Sequence, residues 1–344
     1  MQETGHADGP PDGMGIKPPQ EAVERTEDVV DLQKKFETRL DADGIRDVLV
    51  IGNERPGGCP FKCQGCGVEG EAVKVDTNAN AQIISQQIDG MRLQLESDPA
   101  AYSEHGYHLC IYNNGNVTNP AELSTDNLTS LLQKIDGLTP RPKYVSLNSR
   151  GPFVNEKGLE DLQNLGLQYD IHFILGVETF TEKGKAIYGK PAIDREIQNM
   201  FTVVNTFNEA HQTKFGIDAG FVFLPEFYTD DREDTAAIEQ GFLNDVTGFV
   251  EKYVGHETPI VINIHPFYPM PDLPYESTAQ SFDILMEAMV KLEAVIQSRN
   301  ANLPEHLHAS LFIGLNDSGY ETSEWESARS KWQAEIDRIN RPVP

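Results

Sequence analysis

Residues 55–70 read RPGGCPFKCQGCGVEG and follow directly on the apolar run DVLVIG at 47–52. That run is short, rich in β-branched residues and ended by glycine and asparagine, which predicts a strand. The segment behind it therefore leaves the C-terminal end of the strand, the end at which α/β barrels carry their chemistry. It holds Cys59, Cys63 and Cys66, three of the chain's four cysteines, spaced C-x3-C-x2-C. Thiols this close are poorly placed to pair as disulfides and well placed to share one metal centre. Three thiolates are one fewer than the four irons of a cubane need, so a [4Fe–4S] cluster held here keeps one iron open to a ligand that is not protein. A zinc site, or three unrelated buried cysteines, are the other readings of the same residues.

Outward from this loop, short β-branched runs alternate with longer amphipathic ones. Strands are predicted at 47–52, 107–112, 143–148, 170–177, 214–224 and 259–264, with helices near 80–97, 121–135, 155–165, 193–212, 232–253 and 278–299. This is the pattern of repeated βα units around a parallel sheet. Six units are too few for an eightfold barrel; an open barrel or a doubly wound sheet fits the count. Residues 1–44 form an N-terminal extension. Its first twenty positions lack an apolar period and are expected to be disordered, while Val29, Val30, Leu32, Phe36 and Leu40 predict a helix from about 21 to 40. Residues 45–275 carry the βα units, and 276–344 supply the last long helix followed by a capping segment with a short strand-like HASLFIG.

The 344 residues carry 54 acidic and 28 basic side chains, a formal charge of −26. Long-range attraction to nucleic acid or to an anionic membrane is disfavoured by that balance. No apolar run approaches the ~20 residues that span a bilayer, and the hydrophilic start offers no signal-peptide core. The expected location is a reducing cytoplasm.

The cysteine spacing, its place after the first strand and the βα units that follow resemble the radical S-adenosylmethionine (SAM) superfamily over roughly residues 45–270. The resemblance implies a partial (β/α)6 TIM-like α/β barrel with N- and C-terminal extensions. It also implies a [4Fe–4S] cluster on Cys59, Cys63 and Cys66, whose open iron chelates SAM. Reductive cleavage of SAM then yields a 5′-deoxyadenosyl radical that takes a hydrogen atom from a substrate. An external electron donor such as flavodoxin or ferredoxin is implied as partner. Gly65 stands where the family commonly has an aromatic residue against the adenine, so Phe61 is expected to shield that side.

Further residues follow from the same likeness. The turn YNNGNVTNP after the second strand offers Asn113, Asn114, Gly115 and Asn116 to the SAM amino group, although Asn and Gly are also ordinary turn residues. In GVETF, Glu178 matches the carboxylate that contacts the SAM ribose; a salt bridge to a nearby Lys or Arg is the plainer reading. Arg195 matches basic residues that reach the SAM carboxylate, and Val222 and Leu224 in FVFLPEF match the strand that packs on the adenine.

Alternation along the strands adds a reading independent of the likeness. Successive side chains point to opposite faces, and polar groups recur at every second position: Tyr144, Ser146, Asn148 and Arg150; His172 and Glu178; Asp218; Asn263 and His265. This predicts a polar barrel lumen, with Asn148 beside the cofactor and Arg150, Asp218, Asn263 and His265 as candidates for the substrate. Cys110 sits inside a strand and reads as a small hydrophobe. A small metabolite or natural-product intermediate is the expected substrate, with an RNA-modifying enzyme and a non-catalytic iron–sulfur or zinc protein as alternatives.

Overall fold

A computed structural model of the chain describes residues 38–41, 44–56, 58–59, 63, 75–113, 115–190, 193–267, 278–314 and 323–340. Strand β1 (Thr38–Asp41) runs antiparallel to β2 (Gly44–Val50), with Thr38 opposite Asp47. From β2 on, every pairing is parallel: β3 (Tyr107–Tyr112), β4 (Tyr144–Asn148), β5 (Asp170–Glu178), β6 (Gly216–Phe223), β7 (Ile260–Pro266) and β8 (Ala309–Ile313).

Strand order in the sheet equals chain order from β1 to β8. A doubly wound sheet reverses its order at a switch point. No reversal occurs, so the seven parallel strands curl as a partial TIM-like barrel. The intervening helices are α1 (Thr77–Ser97) and α2 (Pro99–His105), α3 (Thr125–Asp136), α4 (Glu156–Asn164), α5 (Glu182–Tyr188) and α6 (Ile193–His211), α7 (Thr235–Tyr253), α8 (Ala279–Asn300) and α9 (Ser323–Ile339).

Two expectations are corrected. Six strands were expected, but HASLFIG supplies β8 as a seventh parallel strand, registered Ala309 to Ile260 and Ile313 to Ile264. The segment from 276 thus gives α8 and β8 to the barrel itself, and α9 packs on them. In the N-terminal extension the helix expected to reach Leu40 gives way to a strand at 38–41; its earlier part lies outside the described residues.

Local chemistry sets the helix starts. Asp76 caps α1 through the N–H groups of Asn78 and Ala79, Asn155 caps α4, and Thr278 forms a reciprocal capping box with Ser281 on α8. Each strand then sorts its side chains. Leu109 and Ile111, Val145 and Leu147, Phe173 and Leu175, Ile217 and Ala219, and Ile260 and Ile262 face the helices and are almost fully buried in the main core. Burying such side chains is worth about 1.5–3 kcal/mol each for the larger ones. The opposite face, with His108, Tyr144, Ser146, His172, Asp218 and Asn263, lines the lumen.

Candidate functional site

The cysteine loop begins on a braced platform. After β2, the Asn80 side chain of α1 bonds Gly52 both ways, accepting from its N–H at 2.8 Å and donating to its carbonyl at 3.0 Å. A side chain at Gly52 would collide with Val75, so the close approach needs glycine. Two residues on, the Glu54 carboxylate accepts from Thr77 Oγ1, Asn80 Nδ2, Asn127 Nδ2 and the Ser124 N–H at 2.7–3.0 Å, tying the loop to α1 and α3. Burial raises the Glu54 carboxyl, yet those hydrogen bonds outweigh it and hold the group below the usual carboxylate range.

Cys59 follows Gly58, which adopts a left-handed φ of 73°, and both Cys59 and Cys63 are partly buried. Cys66 and Phe61 lie outside the described residues. Cys63 packs against a small apolar cluster of Tyr188, Val222, Leu224, Phe227 and Phe267, separate from the main core. Burial pushes its thiol up; Lys190 and Arg150 pull the other way, while Glu178 and Glu196 reinforce the rise. The surroundings of Cys63 therefore bring together Glu178, Arg150, Val222 and Leu224, four residues singled out in the sequence, and add two that were missed, Lys190 and Glu196.

Glu178 ends β5 beyond a register shift between Gly176 and Glu178, with a left-handed φ of 62° that a non-glycine residue rarely adopts. Its Oε1 lies 2.5 Å from Lys190 Nζ in a salt bridge. Gly176 makes room for the pair, because a Cβ there would strike Glu178 Oε1. On the far side, Asp245 of α7 accepts from Thr179 Oγ1 at 2.5 Å and from the Phe180 N–H at 2.8 Å, gripping the two residues after Glu178.

The turn after β3 is organised by another carboxylate. Glu122 accepts from Asn53 Nδ2, the Asn116 N–H, Asn116 Nδ2 and Asn119 Nδ2 at 2.7–3.2 Å. Gly115 is packed so tightly on it that a Cβ would overlap Glu122 Oε2, and its carbonyl accepts from Asn148 Nδ2 at 3.0 Å. Asn116, Gly115 and Asn148 thus build the turn. Asn113 gives Nδ2 to the Glu122 carbonyl at 3.4 Å, while its buried Oδ1 has no donor among the described residues. Asn114 lies outside them.

Arg150 forks onto Glu196 of α6 through Nε and a terminal nitrogen at 2.9 and 2.6 Å, and its N–H donates to Asn116 Oδ1. The neighbouring Arg195 is exposed on the first turn of α6, with no hydrogen bond or ion pair to these groups. Nothing in the sequence distinguished Glu196 from Arg195; their helical phase does.

Below this rim lies the lumen. His172 Nδ1 is 2.8 Å from Asp218 Oδ1, and Ser146 Oγ donates to Asp218 Oδ2. His108, Tyr144 and His172 stack face to face with ring centroids 4.5 and 4.2 Å apart. Arg46 Nε donates to Cys110 Sγ at 3.0 Å. Asn263 and His265 stand on β7, opposite Gly220 and Val222 of β6. Polar alternation was therefore a correct guide to the lumen, although Ser146 and Asp218 are engaged with protein partners.

The residues present fit a thiolate-held cluster: Cys59 and Cys63 share one loop, and Lys190 and Arg150 favour the thiolate of Cys63 against burial, Glu178 and Glu196. Among the described residues no three His, Cys, Asp or Glu side chains converge as a metal site, and no helix is long and apolar enough to cross a membrane.

No family model matches the sequence, and no curated protein matches it. Among solved structures, the chain is similar to a radical SAM methyltransferase from Sphaerobacter thermophilus at 12% identity, covering 80% of this chain and 68% of that one with a TM-score of 0.47. It is also similar to HydG, a maturase of the [FeFe]-hydrogenase, at 11% identity over 88% of this chain with a TM-score of 0.49, and spans 57% of that protein's length.

Proposed function

We propose that this chain is a radical SAM enzyme that cleaves SAM reductively and acts on a small molecule or natural-product intermediate. The observation that carries the reading is the loop leaving β2: Cys59 and Cys63 stand there partly buried, with the charges of Lys190, Arg150 and Glu178 acting on Cys63 and the apolar Val222 and Leu224 packed in the cluster beside it. Cys59, Cys63 and Cys66 would hold a [4Fe–4S] cluster. When bound, such a cluster supplies the electron that splits the carbon–sulfur bond of SAM.

The chain's own residues do the rest. Val222 and Leu224 give an apolar wall that excludes water beside Cys63. Glu178 presents a carboxylate suited to a diol, held by Lys190, and Lys190 offers a cation to the carboxylate of an amino acid. Asn113 Oδ1 is a buried acceptor suited to an ammonium group. A flavodoxin- or ferredoxin-like donor would supply electrons, in a cytoplasmic setting. The charge of −26 disfavours RNA as substrate.

The test is anaerobic reconstitution with iron and sulfide, then dithionite and SAM. About four irons per chain and formation of 5′-deoxyadenosine, both lost in Cys63→Ala, support the reading. Stoichiometric zinc on the purified thiols with no SAM cleavage would sink it.

A further inference from the structure

Glu178 is held in a conformation that its own backbone resists. The Thr179 N–H donates to the Val177 carbonyl at 2.8 Å, closing a three-residue turn with Glu178 at its centre and a φ of 62°. Turns of this kind with a positive central φ are rare and strained, and they persist only where the surroundings over-determine them. Here a carboxylate from a neighbouring helix does so. Asp245 of α7, itself buried, accepts from Thr179 Oγ1 at 2.5 Å and from the Phe180 N–H at 2.8 Å, on the two residues that leave the turn. A third donor, Tyr228 Oη in the connection after β6, reaches the same carboxylate at 3.4 Å.

Thr179 passes this hold to α5. Its Oγ1 accepts from the Thr181 N–H at 3.1 Å and lies 3.1 Å from Thr181 Oγ1. Thr181 in turn caps α5, accepting from the Gly184 N–H at 3.1 Å. Gly184 packs so closely that a Cβ there would strike Thr179 Cγ2, so the first turn of α5 is seated on Thr179. The helix is only seven residues long and closes at Gly189. Lys190 follows, its N–H on the Lys185 carbonyl at 3.0 Å. One carboxylate therefore braces both the turn that presents Glu178 and the short helix that returns Lys190 to it.

We propose that Asp245 is the positioning residue of the Glu178–Lys190 pair, setting the geometry in which the two charges stand beside Cys63. Packed side chains and a short rigid helix carry such an effect without contact between Asp245 and either charge. That the pair then meets SAM rests on the radical SAM reading; that Asp245 sets the pair's geometry does not.

The test is the interaction between Glu178 and Lys190, measured by urea unfolding of the full-length chain as a double-mutant cycle of Glu178→Leu and Lys190→Met. The cycle is run in the parent and in Asp245→Leu, Asp245→Asn and Asn208→Leu. Asn208, in the last turn of α6, bonds Thr213, Phe215 and Glu257, so its loss destabilises the chain at the opposite end of the sheet from Glu178. A residue that only adds stability lowers every member of a cycle alike and leaves the coupling unchanged. In Asp245→Leu the coupling should fall by about half or more, whereas Asn208→Leu should keep the parent value. Asp245→Asn retains an acceptor for the Phe180 N–H while trading the second oxygen for a donor, so its coupling should lie between. In enzyme reconstituted with iron and sulfide, Asp245→Leu should raise the KM for SAM about tenfold with kcat nearly unchanged, the effect of losing one charge-assisted hydrogen bond in binding. A coupling in Asp245→Leu equal to the parent's, an equal loss in Asn208→Leu, or an unchanged KM overturns the proposal. Where Asp245→Leu does not fold, Asp245→Asn decides on the same readings. Absence of SAM cleavage by the parent itself would instead sink the enzyme reading and leave the coupling result intact.

Discussion

Lys190 Nζ and Glu178 Oε1 meet at 2.5 Å across the rim of the barrel, and each side chain is less than 15% exposed. The two arrive from different elements: Glu178 ends β5 after a bulge, and Lys190 follows Gly189, which closes α5 in a left-handed conformation with φ of 78°. Burial disfavours the Lys190 ammonium, yet Glu178 and then Cys63 outweigh it and hold the group above its ordinary value. The pair is thus a charged unit beside Cys63, built by two turns.

Removing one partner should cost more than removing both. Lys190→Met strands the Glu178 carboxylate in a nearly dry site and is expected to lower stability by about 3–5 kcal/mol, whereas the double replacement Lys190→Met with Glu178→Leu should recover most of that loss. Urea unfolding of the four proteins in a double-mutant cycle measures the coupling. If the single and double replacements cost the same, the pair is solvent-screened and carries no such role.

Gly115 offers a second test, aimed at the turn after β3. A methyl at this position would overlap Glu122 Oε2, which already serves Asn53 and Asn116. Gly115→Ala should therefore destabilise by about 1–3 kcal/mol, the penalty for stranding buried hydrogen-bonding groups. Glu122→Gln should cost a similar amount, because an amide has one acceptor oxygen where the carboxylate used two. Chemical denaturation without any cofactor detects both losses, and a neutral Gly115→Ala would mean the turn yields without strain.

What the sequence made legible, and what it hid, follows from the range of each interaction. The strand 107–112 was read at its true limits because a run dominated by apolar and aromatic residues sits between turn formers. The polar lumen was readable because alternation is local: Ser146, His172, Asp218 and Asn263 each announce a face within their own strand. Their partnership was not, since His172 meets Asp218 only through the register that sets Ile174 beside Asp218, 44 positions further along the chain. Strand β8 was taken for part of a cap because five residues after a change of pattern carry no sign of which sheet they join. Lys190 and Asp245 escaped for a similar reason: each completes a site begun elsewhere in the chain, and neither lies in a motif. In the turn after β3, Asn116 gives its N–H and its Nδ2 to Glu122, a carboxylate whose role depends on four donors converging from two segments.

The Arg150–Glu196 pair separates charge from geometry. Its two parallel bonds, at 2.9 and 2.6 Å, use the planar fork of guanidinium, which an ammonium lacks. Arg150→Lys keeps the charge near Cys63 but loses one of the two bonds, and is expected to cost about 1–2 kcal/mol. Arg150→Met with Glu196→Leu should be milder than Arg150→Met alone. Thermal unfolding ranks the three, and equal stability of Arg150→Lys and the parent would show that the fork is not used.

Asp245 gives the pH-dependent prediction. Burial raises its carboxyl above the usual 3.8, although hydrogen bonds from Thr179, Phe180 and Tyr228 and the charge of Lys185 work against the rise. An acid whose folded value exceeds its unfolded one binds its proton more tightly in the native state. Its contribution to stability is thus greatest below 3.8 and is lost as pH climbs from there through the raised folded value. Asp245→Asn cannot titrate, so the stability of the parent minus that of the variant should shrink over that window, by at most about 1.4 kcal/mol per pH unit, and be flat above it. Taking the difference removes the acid sensitivity that both proteins share through their other carboxylates. Because Asp245 grips Thr179 and Phe180, the variant should also loosen the left-handed turn at Glu178, seen as faster amide exchange at residues 178–180. A stability difference that grows with pH would mean that the charged carboxylate, through its hydrogen bonds, outweighs the burial that opposes it.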